Sequence, residues 1–200
     1  MEPLFDYQGR TLAIGTGAST NAVVDGLLRM HAAKQFARPI TLYIVGGAND
    51  TVPLQGVEAL LLVGVLRTIR SQTRTVGLGL LRGWQPLLLA AGTAGQRCLL
   101  PQTLVSLGPL EWQGLPLAQN PIGLQPSPPE SAYHQTERLL QKQLRQLLSE
   151  LKLPAKLFGT DRFLTAHDAV KHRLADHVVE RIVTPELAPS IRPVSHEPHL

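Results

Sequence analysis

The chain has 200 residues, of which 44% are hydrophobic but only 4% aromatic, and its formal net charge is +4. This length fits one domain with an aliphatic core. The bases are scattered and lack interleaved aromatics, which argues against nucleic-acid binding. Arg or Gly interrupts each apolar run before membrane-spanning length, and residues 1–10 resemble neither a signal nor a transit peptide. One cysteine excludes an internal disulfide and suits a reducing compartment.

Short strands and helices alternate through the first half of the chain. The predicted elements are a strand at 11–14, a helix at 22–34, a strand at 40–45, a helix at about 54–69, a strand at 75–80, an apolar run ending at 90–92, a strand opening at 99 and a strand at 102–108. This alternation predicts α/β layers with parallel crossover connections.

A Pro/Gly-rich stretch at 109–129 then interrupts the alternation, because its prolines cannot continue a helix or strand. A long amphipathic helix is predicted at 130–151. Its wide apolar stripe either meets a partner or packs on its own domain. The remaining predicted elements are a helix at 166–172, a strand at 178–183 and a disordered tail at 185–200.

Several segments resemble the proteolytic subunits of Clp proteases, the ClpP family. The matching segments are 9–15, 39–44, Ala90-Ala91-Gly92, Gly95, Arg97, Leu100-Pro101, 161–166, 168–170, Leu174 and Asp176. The resemblance implies an α/β, ClpP/crotonase-like fold of stacked β-β-α units with a protruding long helix, the handle. It further implies a single domain at 1–184. The head of this domain comprises two ranges, about 10–108 and 161–184, and the handle comprises about 109–152.

The resemblance places the family's catalytic positions on residues that lack most of the reactive groups. A Ser-His-Asp hydrolase needs a hydroxyl nucleophile, an imidazole base and a carboxylate that orients the base. The nucleophile position falls at Gly83 and the base position at Gly108, whereas the carboxylate position keeps Asp161. Glycine neither attacks a carbonyl nor accepts a proton, so we expect a rate loss of roughly 10⁴ to 10⁶.

The family's oxyanion hole uses backbone N–H groups of a Gly-Gly turn and of the residue after the nucleophile. The resemblance places these groups at Gly46, Gly47 and Trp84. The loop from there to Pro53 is longer than in the family, and an indole is larger than the usual side chain. We therefore expect a filled or reshaped cleft.

A ClpP-like chain without the triad is most similar to the non-catalytic ClpR paralogues of cyanobacteria and plastids. The resemblance implies an inactive subunit with a structural or regulatory role in an ATP-dependent Clp serine protease complex. Its implied partners are catalytic ClpP subunits and other Clp-type paralogues in stacked heptameric rings, with the Clp ATPase as an indirect partner. It implies no cofactor, and a cytoplasmic or plastid-stromal location.

Two other functions stay open on the residues alone. A crotonase-like acyl-CoA enzyme needs an acidic base, and Glu58 and Asp161 are the candidates. A peptidase with a displaced serine could use Ser106, because period-two alternation puts this residue on the same strand face as Gly108. No histidine is placed to activate Ser106, so we interpret it as a small strand residue.

The three histidines near the end of the chain have a metal-like spacing, at His167, His172 and His177. No cysteine or carboxylate cluster accompanies them to complete a zinc site. We predict that they face solvent and that the chain has no metal site.

Overall fold

The computed structural model describes residues 5–6, 9–15, 19–33, 38–47, 56–108, 130–154, 157–158 and 162–180. Its elements in chain order are β1 (Phe5–Asp6), β2 (Thr11–Ile14), α1 (Thr20–Ala32), β3 (Ile40–Gly46), α2 (Gly56–Thr68), β4 (Thr73–Leu81), α3 (Gln85–Ala90), β5 (Arg97–Leu99), β6 (Leu104–Ser106), α4 (Glu130–Glu150), β7 (Phe163–Thr165), α5 (Ala166–Lys171) and β8 (His177–Val178). Among these residues, no helix combines the length and apolar character needed to cross a bilayer.

The centre of the sheet is parallel. The strands lie in the order β1-β2-β3-β4-β5-β8, and each neighbouring pair from β2 to β8 is parallel, whereas β1 runs antiparallel to β2. Parallel neighbours require crossover connections, which helices provide here. The predicted α/β layering with parallel crossovers is therefore confirmed.

Strand β4 is shared between two groups of strands. It pairs with β3 as far as Gly79, whereas Leu80 and Leu81 pair with β6, which in turn pairs antiparallel with β7. Gly79 has φ 74°, and a Cβ at this position would collide with the carbonyl oxygen of Gly46. Only glycine adopts this backbone without steric cost. The glycine thus allows β4 to change partners.

The helices α1, α2 and α3 share one aliphatic core with the sheet. Strand β3 is buried along most of its length, and its side chains in this core are Ile40, Leu42 and Ile44. The single cysteine, Cys98 on β5, is also buried and is a free thiol. The low aromatic content of the chain is thus matched by a core built mainly of Leu, Ile, Val and Ala.

Arg10 is buried against the carboxyl end of α1. Its Nη1 donates to the carbonyl of Met30 at 2.7 Å, and its Nη2 lies 3.5 Å from Oγ of Ser71. The same hydroxyl is 3.1 Å from Nδ1 of His31. The last carbonyls of a helix lack intrahelical donors and carry partial negative charge, so this helix end compensates the buried cation. Burial lowers the pKa of Arg10.

The described contacts of helix α4 with the core lie near its carboxyl end. Three leucines of its last turns and one leucine directly after it pack on the core: Leu144, Leu147, Leu148 and Leu151. Nη2 of Arg67 on α2 lies 3.0 Å from Oε2 of Glu150. Leu139, by contrast, is 62% exposed. Of the two alternatives for the apolar stripe, packing on its own domain therefore applies to the last turns of the helix but not to Leu139.

Some predicted boundaries are wrong. Strand β6 covers only Leu104–Ser106 of the predicted 102–108, because the chain turns before it and Thr103 N–H donates to the Leu100 carbonyl at 3.0 Å. Strand β8 ends at Val178, and residues 181–183 lie outside the described part of the chain. Strands β1 and β7 are additional elements. The predictions for residues 109–129 and 185–200 also concern residues that are not described.

Candidate active site

The carboxyl ends of β3, β4 and β6 lie side by side. Strands β3 and β4 stay paired up to Gly46, and Leu81 pairs with Val105 across β4 and β6. Gly83 and Gly108 follow these last paired residues closely along the chain. The structure therefore brings Gly46, Gly83 and Gly108 to one edge of the sheet, the edge at which open α/β sheets bind ligands.

Gly83 lies in the tight turn that connects β4 to α3. The N–H of Gln85 donates to the carbonyl of Arg82 at 3.0 Å and closes this turn. Gly83 has φ 53°, and a Cβ built on it meets no other atom within 4 Å. The predicted nucleophile position thus has room for a Cβ but carries none.

Gly108 follows β6 at its carboxyl end. Ser106 pairs with Phe163 on β7, and the N–H of Leu107 donates to the carbonyl of Arg162 at 2.9 Å. This hydrogen bond extends the antiparallel pairing of β6 and β7 to Leu107. Gly108 itself is half-buried. Asp161, the predicted carboxylate, lies outside the described residues, and its place in the site stays a prediction.

Gly46 ends β3 where the backbones of β3 and β4 come close together. A Cβ on Gly46 would collide with the carbonyl oxygen of Leu80. The small residue is therefore a packing requirement here. Gly47 is half-buried, and residues 48–55 lie outside the described part, so the longer loop to Pro53 stays a prediction.

Trp84 is the N-cap residue that precedes helix α3, and it packs on the core. Its side chain is only 2% exposed and belongs to the hydrophobic core. Its carbonyl accepts the N–H of Leu88 at 3.1 Å, which is the first α-helical hydrogen bond of α3. The indole thus packs inward and helps to hold the turn at Gly83 against the core.

Gln85 is a residue of this site that the sequence analysis missed. Its Oε1 accepts the backbone N–H of Arg82 at 3.0 Å, and its Nε2 lies 3.4 Å from the carbonyl oxygen of Val45. The carboxamide thereby joins the β4–α3 turn to the end of β3. The bond to Arg82 spans three residues, as the reciprocal arm of a capping box does, but the N-cap residue of α3 is Trp84, so the sequence carries no capping-box signal for Gln85.

An ion pair fixes the turn that follows α3. Oδ2 of Asp176 accepts the N–H groups of Gly95 and Arg97 at 2.7 and 3.0 Å and Nε of Arg97 at 2.8 Å. Nη2 of Arg97 donates to Oδ1 of Asp176, and Nη1 of Arg97 donates to the Arg173 carbonyl at 3.0 Å. Burial alone raises the pKa of Asp176, but the hydrogen bonds and charge of Arg97 and the Gly95 N–H outweigh it and lower the pKa.

The alternative catalytic residues do not form a constellation among the described residues. Ser106 is half-buried on β6, and Glu58 is half-buried in the first turn of α2. The contact between the Ser71 hydroxyl and His31 lies before β4 begins, at the opposite end of that strand from Gly83. The described part of the site offers backbone groups and the Gln85 carboxamide, and no nucleophile–base pair.

The late histidines are dispersed in the structure. His167 and His177 are exposed and His172 is half-buried. Within the ranges described, no three His, Cys, Asp or Glu side chains are grouped so that they could hold a metal ion.

The sequence model of a family described as Clp protease matches residues 13–182. The chain is 24% identical over 177 residues to the ATP-dependent Clp protease proteolytic subunit 1 of Corynebacterium diphtheriae, a match that covers 87% of this chain and 80% of that protein. The protein of the same name from Corynebacterium glutamicum is also 24% identical over 177 residues, with 87% and 81% covered. These matches confirm the predicted ClpP fold and do not favour the crotonase alternative. With most of its length matched, the chain belongs to the Clp protease family.

Proposed function

We propose that this chain is a catalytically silent ClpP-like subunit with a structural or regulatory role in an ATP-dependent Clp protease complex, as in ClpR-type paralogues. The observation that supports this proposal is the pair of glycines at the ends of β4 and β6, Gly83 and Gly108. Backbone groups stabilise charge but do not replace a nucleophile and its base. Because this chain would lack both the nucleophile and the base, the other subunits of the proposed complex would hydrolyse the peptides.

The proposed partners are catalytic ClpP subunits and other Clp-type paralogues in stacked rings, with the Clp ATPase as an indirect partner. Helix α4 supports an assembly role because its last turns are anchored on the core while Leu139 is exposed. An exposed apolar position on an anchored helix is suited to contact a neighbouring subunit. The proposed compartment is the cytoplasm, or the stroma if the chain comes from a plastid.

Labelling within the native assembly tests the proposal. The tagged chain is purified from its source cells, treated with a fluorophosphonate and analysed by native mass spectrometry with subunit counting. We expect Clp-type subunits that carry the label to co-purify with this chain, which carries none. Labelling of the chain itself, above all at Ser106, would show a displaced serine, and purification without any Clp-type subunit would contradict the proposed role.

A substitution on α4 tests the assembly role separately. Leu139→Asp places a charge on the exposed apolar position, and we expect fewer Clp-type subunits to co-purify. Gln143→Asp is the matched control, because Gln143 is exposed on the same helix but is polar already. Equal recovery of partners with the two variants would remove α4 from the proposed interface.

A further inference from the structure

Arg10 carries a buried positive charge that its surroundings compensate only in part. The residue is 2% exposed, and within the described ranges no carboxylate forms an ion pair with it. The carboxyl end of α1, which Nη1 contacts at the carbonyl of Met30, supplies only a partial negative charge. Buried charges in proteins are as a rule paired with a full opposite charge. The guanidinium of Arg10 therefore lacks a counter-ion.

One edge of the same guanidinium also lacks acceptors. Nε of Arg10 is buried without a hydrogen-bond partner, and it is the single side-chain atom of this kind in the part of the chain that the structure describes. Nη2 points to the same side as Nε in the planar group. It reaches Oγ of Ser71 at 3.5 Å, which is long for an N–H···O contact. An acceptor on the Nε–Nη2 edge would thus stabilise the fold, because a buried donor left unpaired costs free energy.

The chemistry of this edge selects the kind of acceptor. Nε–H and Nη2–H form the parallel pair of donors with which arginine binds anions side-on. Met30 and Ser71 are 2% and 3% exposed, so the edge is enclosed and only a small ligand is suited to it. A monovalent anion balances a single cation, whereas a divalent one would leave excess negative charge buried. Because the site is shielded from water, attraction between the charges is stronger than at the surface.

We propose that the Nε–Nη2 edge of Arg10 binds one small monovalent anion, such as chloride, at the joint between the start of β2, the end of α1 and Ser71. The bound anion accepts from Nε and Nη2 and supplies the missing counter-charge. It also helps to hold Arg10 in its left-handed backbone conformation, φ 52°, which is strained for a residue with a Cβ. The stability of the fold thereby depends on the anion concentration. The joint lies at the opposite end of β4 from Gly83, so the inference does not rest on the proposed function.

The chloride dependence of unfolding tests the inference in the full-length chain. Circular dichroism follows the thermal midpoint while potassium chloride replaces potassium gluconate at constant ionic strength, because gluconate is too large for an enclosed edge. We expect a saturable rise of about 3 °C. Arg10→Lys keeps the charge without the Nε–Nη2 edge and should lose this response, whereas the control Arg74→Lys, at a half-buried arginine on β4, should keep it. No saturable response in the parent chain, or an unchanged one in Arg10→Lys, would overturn the inference.

A second measurement uses the unaltered chain and does not depend on how a variant folds. In a sample labelled uniformly with ¹³C and ¹⁵N, the side-chain Nε–H signal of Arg10 is assigned by correlation with its own backbone amide. Chloride is expected to shift this signal along a saturation curve and to leave that of Arg74 in place. An Arg10 signal that does not move means that water alone meets Nε, and it contradicts anion binding. Neither readout uses partner subunits, so failure here is distinguishable from failure of the assembly role.

Discussion

Arg97 and Asp176 lie 79 residues apart in the sequence and form a largely buried ion pair, with side-chain exposures of 12% and 17%. The pair joins the start of β5 to the residue before β8. Asp176 also accepts the N–H of Gly95, and Arg97 also donates to the carbonyl of Arg173. Elements from the middle and the end of the matched region are therefore held by one set of charged hydrogen bonds.

Asp176→Asn leaves the buried guanidinium without a counter-charge and is expected to lower the free energy of unfolding by about 3 kcal/mol. Urea denaturation followed by circular dichroism measures this loss. The matched control is Asp25→Asn, which breaks an exposed pair with Arg29 on α1 and is expected to cost about 0.5 kcal/mol or less. Equal losses in the two variants would contradict a structural role for the buried pair.

The same pair predicts an acid-sensitive contribution to stability. Folding lowers the pKa of Asp176, so the ionised carboxylate stabilises the folded state above the unfolded pKa of about 3.9. This contribution is lost as the pH falls below that value towards the folded pKa. The difference in unfolding free energy between the parent and Asp176→Asn should therefore be constant from neutral pH to about pH 5 and shrink below about pH 4. A difference that grows on acidification would have the wrong sign.

Returning side chains to the two glycine positions should restore chemistry if the backbone keeps the family geometry. The Cβ of Gly83→Ser meets open space, and the φ of 53° costs an L-residue about 1 kcal/mol. We expect the double variant Gly83→Ser, Gly108→His to react with a fluorophosphonate, while the parent chain does not.

A second double variant controls for strain and for nonspecific labelling. Gly95→Ser, Gly108→His carries its serine at another open glycine with φ 83°, but outside the candidate site. We expect no labelling of this variant. Equal labelling of both double variants, or none of Gly83→Ser, Gly108→His, would contradict a conserved catalytic backbone.

Arg173 stabilises the end of α5 less well than glycine would. Leu174 N–H donates to the Ala169 carbonyl at 3.0 Å and Arg173 N–H to the Val170 carbonyl at 2.9 Å, which is a Schellman motif. Arg173 has φ 63°, a left-handed conformation that favours glycine. We expect Arg173→Gly to raise the unfolding free energy by about 1 kcal/mol, measured in urea, and Arg173→Ala to leave it nearly unchanged, because alanine keeps the Cβ.

The elements with clear periodicity were predictable from the sequence. The helix at α1 and the strand at β3 have enough apolar residues at the right spacing to specify the element and its buried face. Strands β1 and β7 contain only two and three residues, which is too short for a periodic pattern to show. Strand β7 also depends on pairing with β6, which lies far from it in the sequence and which local sequence does not encode.

The candidate site was predictable in part and for a different reason. Gly83 and Gly108 were placed by resemblance, and the strand register then brings them to one edge. Gln85 was missed because its role depends on the carbonyl of Val45, which only the pairing of β3 with β4 brings near. The contact between Gln85 and Val45 has no signature in the sequence of either segment alone.

The burial of Cys98 has a practical consequence for labelling this chain. The chain holds no other thiol, and Cys98 is buried on β5, where alkylating reagents reach it poorly while the protein stays folded. A cysteine introduced at an exposed position such as Gln143 would therefore take a fluorophore or spin label selectively, without prior removal of the native sulfur. Distances between copies then become measurable by resonance energy transfer or by electron spin echoes.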